Sequence, residues 1–132
     1  MRDKIIKTDD EWRALLTTAQ FRVLRRGGTD APFAGELTDV VEPGIYRCAG
    51  CSSELFTSES KFHSGCGWPS FSEVIEPDAV TELRDATFGM VRTEVRCAVC
   101  DGHLGHVFDD GPPPSHLRYC INSAAITFEP RG

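Results

Sequence analysis

The cysteines of this chain divide by spacing into two kinds. Cys48-Ala-Gly-Cys51 and Cys97-Ala-Val-Cys100 are Cys-x-x-Cys knuckles, each of which sets two sulfurs on one tight turn. Two such turns can offer four thiolates to one ion at about 2.3 Å, filling a tetrahedron and leaving no position for water. That pattern points to one structural Zn2+ rather than a catalytic metal. The knuckles lie too far apart in sequence for a compact ribbon, so the fold must bring them together. A pair of redox-active dithiols is the rival reading, but neither knuckle has the βαβ setting or the Trp-Cys context of such a site.

Cys66 and Cys120 remain outside the knuckles and suit a redox nucleophile and a resolving partner. Cys120 lies in the strand-like Leu117-Arg-Tyr-Cys-Ile-Asn122, where residues two apart share a face. Arg118, Cys120 and Asn122 are therefore expected to project together, with the guanidinium and amide stabilising a thiolate and lowering its pKa. A buried core cysteine is the plain alternative. Cys66 sits in Ser64-Gly-Cys-Gly-Trp-Pro-Ser-Phe71, where Trp68 and Phe71 can form an aromatic wall or simply pack in a core. His103 and His106 are three apart and would face opposite sides of a regular strand, unless Gly102 and Gly105 bend it.

The elements that must hold these groups are short. Thr8-Asp-Asp-Glu11 is a capping-box pattern ahead of Trp12, Leu15, Leu16 and Ala19. A second helix is expected near residues 18–26, stopped by Gly27-Gly28. Residues 29–43 show turn chemistry without a period and read as an irregular wrap. Strands are expected at 45–47, 55–56, 68–71, 90–96, 103–108, 117–121 and 125–128, broken by Asp109-Asp-Gly-Pro-Pro-Pro114. The whole reads as one catalytic domain over 1–132, with helices and wrap in 1–43 and a zinc-stapled β body in 44–128.

The net charge of −6 excludes some functions. Residues 1–40 carry seven basic and seven acidic side chains, so the surplus negative charge falls entirely on the cysteine-bearing body. Nucleic acid requires the opposite field. No apolar run reaches the roughly 18 residues of a membrane span. The first residues lack the apolar core of a secretory signal, which sets the expectation of a cytoplasmic protein with reduced thiols. No heptad demands a dimer, so a monomer is expected. A non-catalytic zinc-knuckle binding module would account for the knuckles but leaves Cys66, Cys120 and both histidine segments without a role.

Long stretches give a more specific reading: Lys61-Phe-His-Ser-Gly-Cys-Gly-Trp-Pro-Ser-Phe71, Val95-Arg-Cys-x-x-Cys100, His103-Leu-Gly-His-Val-Phe-Asp-Asp-Gly-Pro-Pro-Pro114 and Arg118-Tyr-Cys-Ile-Asn-Ser-Ala124. With Cys48-x-x-Cys51, they resemble the B-type peptide methionine sulfoxide reductases, which act on the R epimer of the sulfoxide. That resemblance implies a mainly β fold of two antiparallel sheets, tent-like, with short N-terminal helices. It implies Cys120 as nucleophile, Cys66 as resolving thiol, and Cys48, Cys51, Cys97 and Cys100 as zinc ligands. His103, His106 and Asn122 would form the polar side of the pocket, with Trp68, Phe71 and Arg118 contacting substrate. Oxidised proteins or peptides would be the substrates, repaired through a Cys66–Cys120 disulfide that a thioredoxin-type carrier reopens.

Overall fold

The structure is a computed structural model describing residues 3–29, 35, 37–86 and 89–131. Both expected helices form, as α1 (Asp9–Leu15) and α2 (Thr18–Arg26). Thr8 caps α1 through a reciprocal bond with Glu11, and Thr17 caps α2 in the same way with Gln20. This second capping box explains why the chain breaks at Leu16 instead of running on as one helix. Gly27 ends α2 at φ 70°, a left-handed conformation that costs glycine nothing. Part of the expected wrap, residues 30–34 and 36, lies outside the described residues.

The strands are β1 (Gly44–Cys48), β2 (Glu54–Thr57), β3 (Lys61–Phe62), β4 (Ser70–Phe71), β5 (Val80–Asp85), β6 (Arg92–Cys97), β7 (His103–Phe108), β8 (Arg118–Ile121) and β9 (Ile126–Pro130). They build a three-stranded sheet, β2-β1-β9, and a six-stranded sheet, β3-β4-β8-β7-β6-β5. Every pairing among them is antiparallel. The expected mainly β, two-sheet architecture is what forms. Strand β5 escaped the sequence reading because its side chains are half-buried or exposed throughout, so no apolar alternation marks it.

Aromatic rings join the sheets. Phe56 of β2 stacks on Phe71 of β4 with centroids 4.3 Å apart, and Tyr46 of β1 meets Phe71 edge-on at 4.9 Å. Buried rings of this size weigh heavily in the energetics of a core. The helices cover the knuckle end of the same core through Trp12, Phe21, Val23 and Leu24. No helix among the described residues is long and apolar enough to cross a membrane.

Candidate active site and metal centre

The turns after β1 and β6 bring the two knuckles face to face. The four sulfurs of Cys48, Cys51, Cys97 and Cys100 all lie within 4.8 Å of one another. Cys48–Cys100 and Cys51–Cys97 are 3.6 and 3.5 Å apart, close to the roughly 3.8 Å edge of a tetrahedron with 2.3 Å metal–sulfur bonds. The donor set therefore fits a metal ion held by thiolates alone. Helix α2 rests on this centre: Arg25 donates to the Cys100 carbonyl at 2.7 Å and lies over the Trp12 ring at 4.8 Å. A Cβ on Gly50 would stand 3.3 Å from that ring and 3.6 Å from Cys100 Sγ, so the first knuckle packs tightly against α1.

The other two cysteines meet on one face of the six-stranded sheet. Cys66 Sγ lies 3.2 Å from Cys120 Sγ, within reach of sulfur–sulfur hydrogen bonding. β8 supplies Cys120, while Cys66 arrives on the Gly65-Cys66-Gly67 turn, whose glycines have φ of 79° and 94°. Ser64 and Ser70 bond one another at 2.7 Å; Ser64 Oγ accepts the Cys66 amide and Ser70 Oγ lies 3.4 Å from its sulfur. Both sulfurs open into a cleft of about 290 Å3, lined also by Thr29, Trp68, Arg92, Gly105, His106, Phe108, Arg118 and Asn122.

Register decides what else faces this cleft. On β8, Arg118, Cys120 and then Asn122 all line it, as residues two apart should. On β7, His106 pairs directly with Cys120 and Phe108 with Arg118. Between Val95–Gly105 and Arg96–His103 the β6–β7 register slips by one residue, leaving Leu104 as the extra residue of a bulge. That slip turns His103 onto the face of His106, and the two rings stand 5.6 Å apart. The chain is thus irregular between Gly102 and Gly105, at the extra residue Leu104. His103 is buried behind the cleft and is not among its lining residues.

Each histidine is held by a carboxylate that also meets an arginine. His106 Nε2 is 2.9 Å from Asp85, which Arg92 approaches at 3.5 Å. His103 Nδ1 is 2.7 Å from Glu94, which Arg96 approaches at 3.1 Å. These contacts fix the exposed edges: His106 keeps Nδ1, and His103 keeps Nε2, for anything else. Burial pulls the His106 pKa below its ordinary value, opposed by the bond to Asp85 and aided by Arg92. A neutral imidazole whose Nε2–H is given to Asp85 presents Nδ1 as a proton acceptor.

The sulfur pair divides its charge unexpectedly. Burial and the neighbouring Cys66 push the Cys120 thiol up to about 12, against the pull of Arg118. Burial also works to raise Cys66, but bonds with Ser64, Ser70 and Cys120 bring it down to about 7. The directions at the two sulfurs favour negative charge on Cys66 over Cys120. The expected lowering at Cys120 fails because burial and Cys66 outweigh the pull of Arg118, whose guanidinium also bonds Asp110 at 2.8 and 3.1 Å and lies over Phe108.

Of the residues singled out from sequence, Cys66, Cys120, His106, Asn122, Arg118 and Trp68 share the cleft. Asn122 donates from Nδ2 to the Leu104 carbonyl at 3.1 Å, tying β8 to the bulge. Phe71 is elsewhere: it is fully buried in the aromatic stack, on the opposite sheet face from its neighbour Ser70. Asp85, Arg92, Glu94, Ser64, Ser70 and Phe108 were missed. Arg92-Thr-Glu94 carried a faint signal, two charges at same-face spacing; Asp85 carried none.

Comparison with known proteins fits this geometry. Residues 16–130 match the SelR domain. The chain belongs to the SelR family. Its relatives include proteins named Peptide methionine sulfoxide reductase MsrB from Agrobacterium fabrum, 58% identical over 96% of this chain and 94% of the relative, and from Herminiimonas arsenicoxydans, 56% identical over 98% and 94%. Another, from Pseudomonas entomophila, is 56% identical over 97% of this chain and 98% of its own. Among solved structures, the Mis18 'Yippee-like' domain superposes with a TM-score of 0.52 at 19% identity, covering 69% of this chain and 99% of that domain. At that identity it speaks only for the fold: a small β scaffold that this SelR chain shares and extends.

Proposed function

We propose that this SelR protein reduces methionine-R-sulfoxide in oxidised proteins or peptides to methionine, through thiol chemistry at Cys120. What supports the reading most is one observation, the 3.2 Å approach of Cys66 to Cys120 inside a cleft walled by Trp68 and His106. The methyl and sulfur of the side chain pack on the Trp68 ring, a contact favourable by about 0.3–1.5 kcal/mol. His106, opposite Cys120 and oriented by Asp85, takes the Cys120 proton at Nδ1 as the thiolate attacks the sulfoxide sulfur. The same proton is then returned to the departing oxygen, since oxide itself is a very poor leaving group. Asn122 and Arg118 border the reacting atoms.

Attack joins Cys120 Sγ to the methionine sulfur. The protonated oxygen, displaced as hydroxide, then bonds to Cys120 Sγ and breaks that sulfur–sulfur bond. Methionine leaves with the electron pair, and Cys120 holds the oxygen as a sulfenic acid. The Cys66 thiolate attacks that sulfur and displaces hydroxide, which takes a proton from solvent and leaves as water, forming the Cys66–Cys120 disulfide. The sulfurs need close by only about 1 Å to reach disulfide length. A thioredoxin-type dithiol carrier then restores both thiols by exchange, which sets the reaction in the reducing cytoplasm. One Zn2+ on Cys48, Cys51, Cys97 and Cys100 would supply a cross-link and no chemistry, because thiolates occupy all its positions.

The test uses a peptide carrying one resolved sulfoxide epimer and the reduced protein without reductant. The R epimer should give one methionine per protein with loss of the Cys66 and Cys120 thiols; the S epimer should give none. Cys120→Ser should abolish this first turnover, and Cys66→Ser should keep it but stall with the carrier. Reduction of the S epimer alone, or of neither, overturns the reading.

A further inference from the structure

The two cysteine knuckles repeat one backbone pattern. In the first, the Ser52 amide donates to the Cys48 carbonyl at 2.9 Å and the Cys48 amide to the Ser53 carbonyl at 2.8 Å. In the second, Asp101 donates to Cys97 and Cys97 to Gly102, each at 2.9 Å. Ser52 and Asp101 share a left-handed backbone, at φ 66° and 59°. The repeat breaks at the next position, which is Ser53 in the first knuckle and Gly102 in the second.

The cover over the sulfurs differs at the same point. Cys100 lies under α2, where a Cβ on Gly102 would stand 2.8 Å from Leu24 and 3.3 Å from Cys100 Sγ. Cys48, Cys97 and Cys100 are all buried, while Cys51 is half-buried. At Cys51 the cover is a hydroxyl: Ser53 Oγ lies 3.1 Å from Cys51 Sγ. We propose that Ser53 guards the metal centre at this open edge, its hydroxyl donating to the Cys51 sulfur, and that Cys51 and Cys97 are the pair an oxidant joins when the centre is lost. The inference rests on the reading that the four thiolates hold Zn2+ and is independent of sulfoxide reduction.

A thiolate has no proton to give, so in the metal-loaded protein the hydroxyl is the donor in this contact. Contacts of this kind orient a ligand and tune its metal, and losing one typically costs about 10–100-fold in affinity. Cysteine oxidation follows thiolate character and exposure. Cys51 has both, and the bond from Ser53 draws electron density from the sulfur that solvent reaches. Cys48 also accepts a bond, from the Gly50 amide at 3.4 Å, but it is buried and needs no guard.

The oxidation balances with hydrogen peroxide as the oxidant. Cys51 Sγ attacks one oxygen, the O–O bond breaks and hydroxide leaves, so Cys51 becomes a sulfenic acid. Cys97 Sγ, 3.5 Å away, attacks that sulfur and displaces a second hydroxide. Both hydroxides take protons from solvent. Two electrons have passed from the two thiolates to the peroxide, and a Cys51–Cys97 disulfide remains. Cys48 and Cys100 are nearly as close, at 3.6 Å, but both are buried, so exposure selects the other pair. Cys48 and Cys100 alone cannot fill the tetrahedron, and the ion is released.

The test uses the zinc-loaded full chain with Cys66 and Cys120 both replaced by serine, so that peroxide meets only the knuckles. Zinc release is followed with a chromogenic chelator, and zinc affinity by competition. Ser53→Ala should release zinc about ten-fold faster under peroxide and bind it about ten-fold more weakly. Ser53→Thr, which keeps the hydroxyl, should match the unmodified residue on both counts. Ser53→Gly copies the second knuckle and serves where Ser53→Ala does not fold. Trypsin cleavage after Arg47, Lys61, Arg96 and Arg118 puts one knuckle on each of two peptides. Early in the oxidation these two peptides should be joined, with fragmentation placing the bond between Cys51 and Cys97. Equal release with and without the hydroxyl, a threonine variant as labile as alanine, or a first disulfide other than Cys51–Cys97 overturns the proposal. A chain that takes up no zinc overturns the metal reading and this proposal with it.

Discussion

His106 stands directly across from Cys120 in the β7–β8 ladder, with Asp85 at its back. A cysteine whose thiol is pushed up to about 12 by burial and by Cys66 needs a base to become a nucleophile. The register supplies one from the neighbouring strand. His106→Ala should therefore slow methionine release in a single turnover by about 10²–10⁴-fold, the usual worth of a general acid–base group. His103→Ala should cost less, because its ring is buried behind the cleft. Asp85→Asn should fall between them and change the pH profile, since the amide no longer fixes the tautomer. Equal losses for both histidines, measured by rapid quench, would deny His106 its special place.

The second prediction concerns where the negative charge resides. With Cys66 at about 7 and Cys120 at about 12, alkylation of the reduced protein should label Cys66 first, its rate rising with pH through neutrality. Cys120 should stay slow until strongly alkaline pH. Cys66→Ala removes both the thiolate and its hydrogen bond, leaving burial opposed by Arg118. The Cys120 labelling midpoint must then move down. Preferential labelling of Cys120 at neutral pH in the unmodified protein would contradict this.

Much of the site was legible because it is local. Ser64–Phe71 and Arg118–Asn122 each carry their chemistry within a few residues, and strand alternation correctly aligned Arg118, Cys120 and Asn122. What stayed hidden depends on register between strands. Glu94 and Asp85 reach their histidines only through pairing of β5, β6 and β7, and nothing in β5 announces a strand. The bulge at Leu104 is likewise a tertiary choice: Gly102 and Gly105 permit it, but pairing with β6 decides it. Charge partition between the sulfurs was misread for the same reason. The sequence shows Arg118 two residues from Cys120 but not the burial of that thiol or the approach of Cys66 to it.

A third prediction follows from the seating of the helices on the knuckles. Arg25 holds the Cys100 carbonyl, and a Cβ on Gly102 would stand 2.8 Å from Leu24, so α2 packs directly on the second knuckle. Its far end leads to Thr29 at the edge of the cleft. Metal binding free energy is also folding free energy. Chelation or Cys97→Ala should lower Tm by about 10 °C or more, as a loss of a few kcal/mol does in a domain of this size. Trp12 fluorescence should shift to the red as α1 lifts away. A metal-free protein with unchanged Tm and Trp12 emission would separate the knuckles from the fold's stability.

Gly105 tests the geometry without touching a reacting group. A Cβ there would run into the Cys120 carbonyl oxygen and stand 3.1 Å from Ile121 Cα, both backbone atoms that cannot turn aside. Gly105→Ala must push β7 and β8 apart at the rung beside His106 and Cys120. Overpacking of this kind typically costs about 1–3 kcal/mol. The separation also carries His106 away from the thiol it serves, and a misplacement of about 1 Å can cost 10²-fold in rate. The variant should thus lose stability in urea and lose single-turnover rate by a larger factor than KM changes. Lost stability with an undiminished chemical step would mean that the close approach of β7 to β8 serves packing alone.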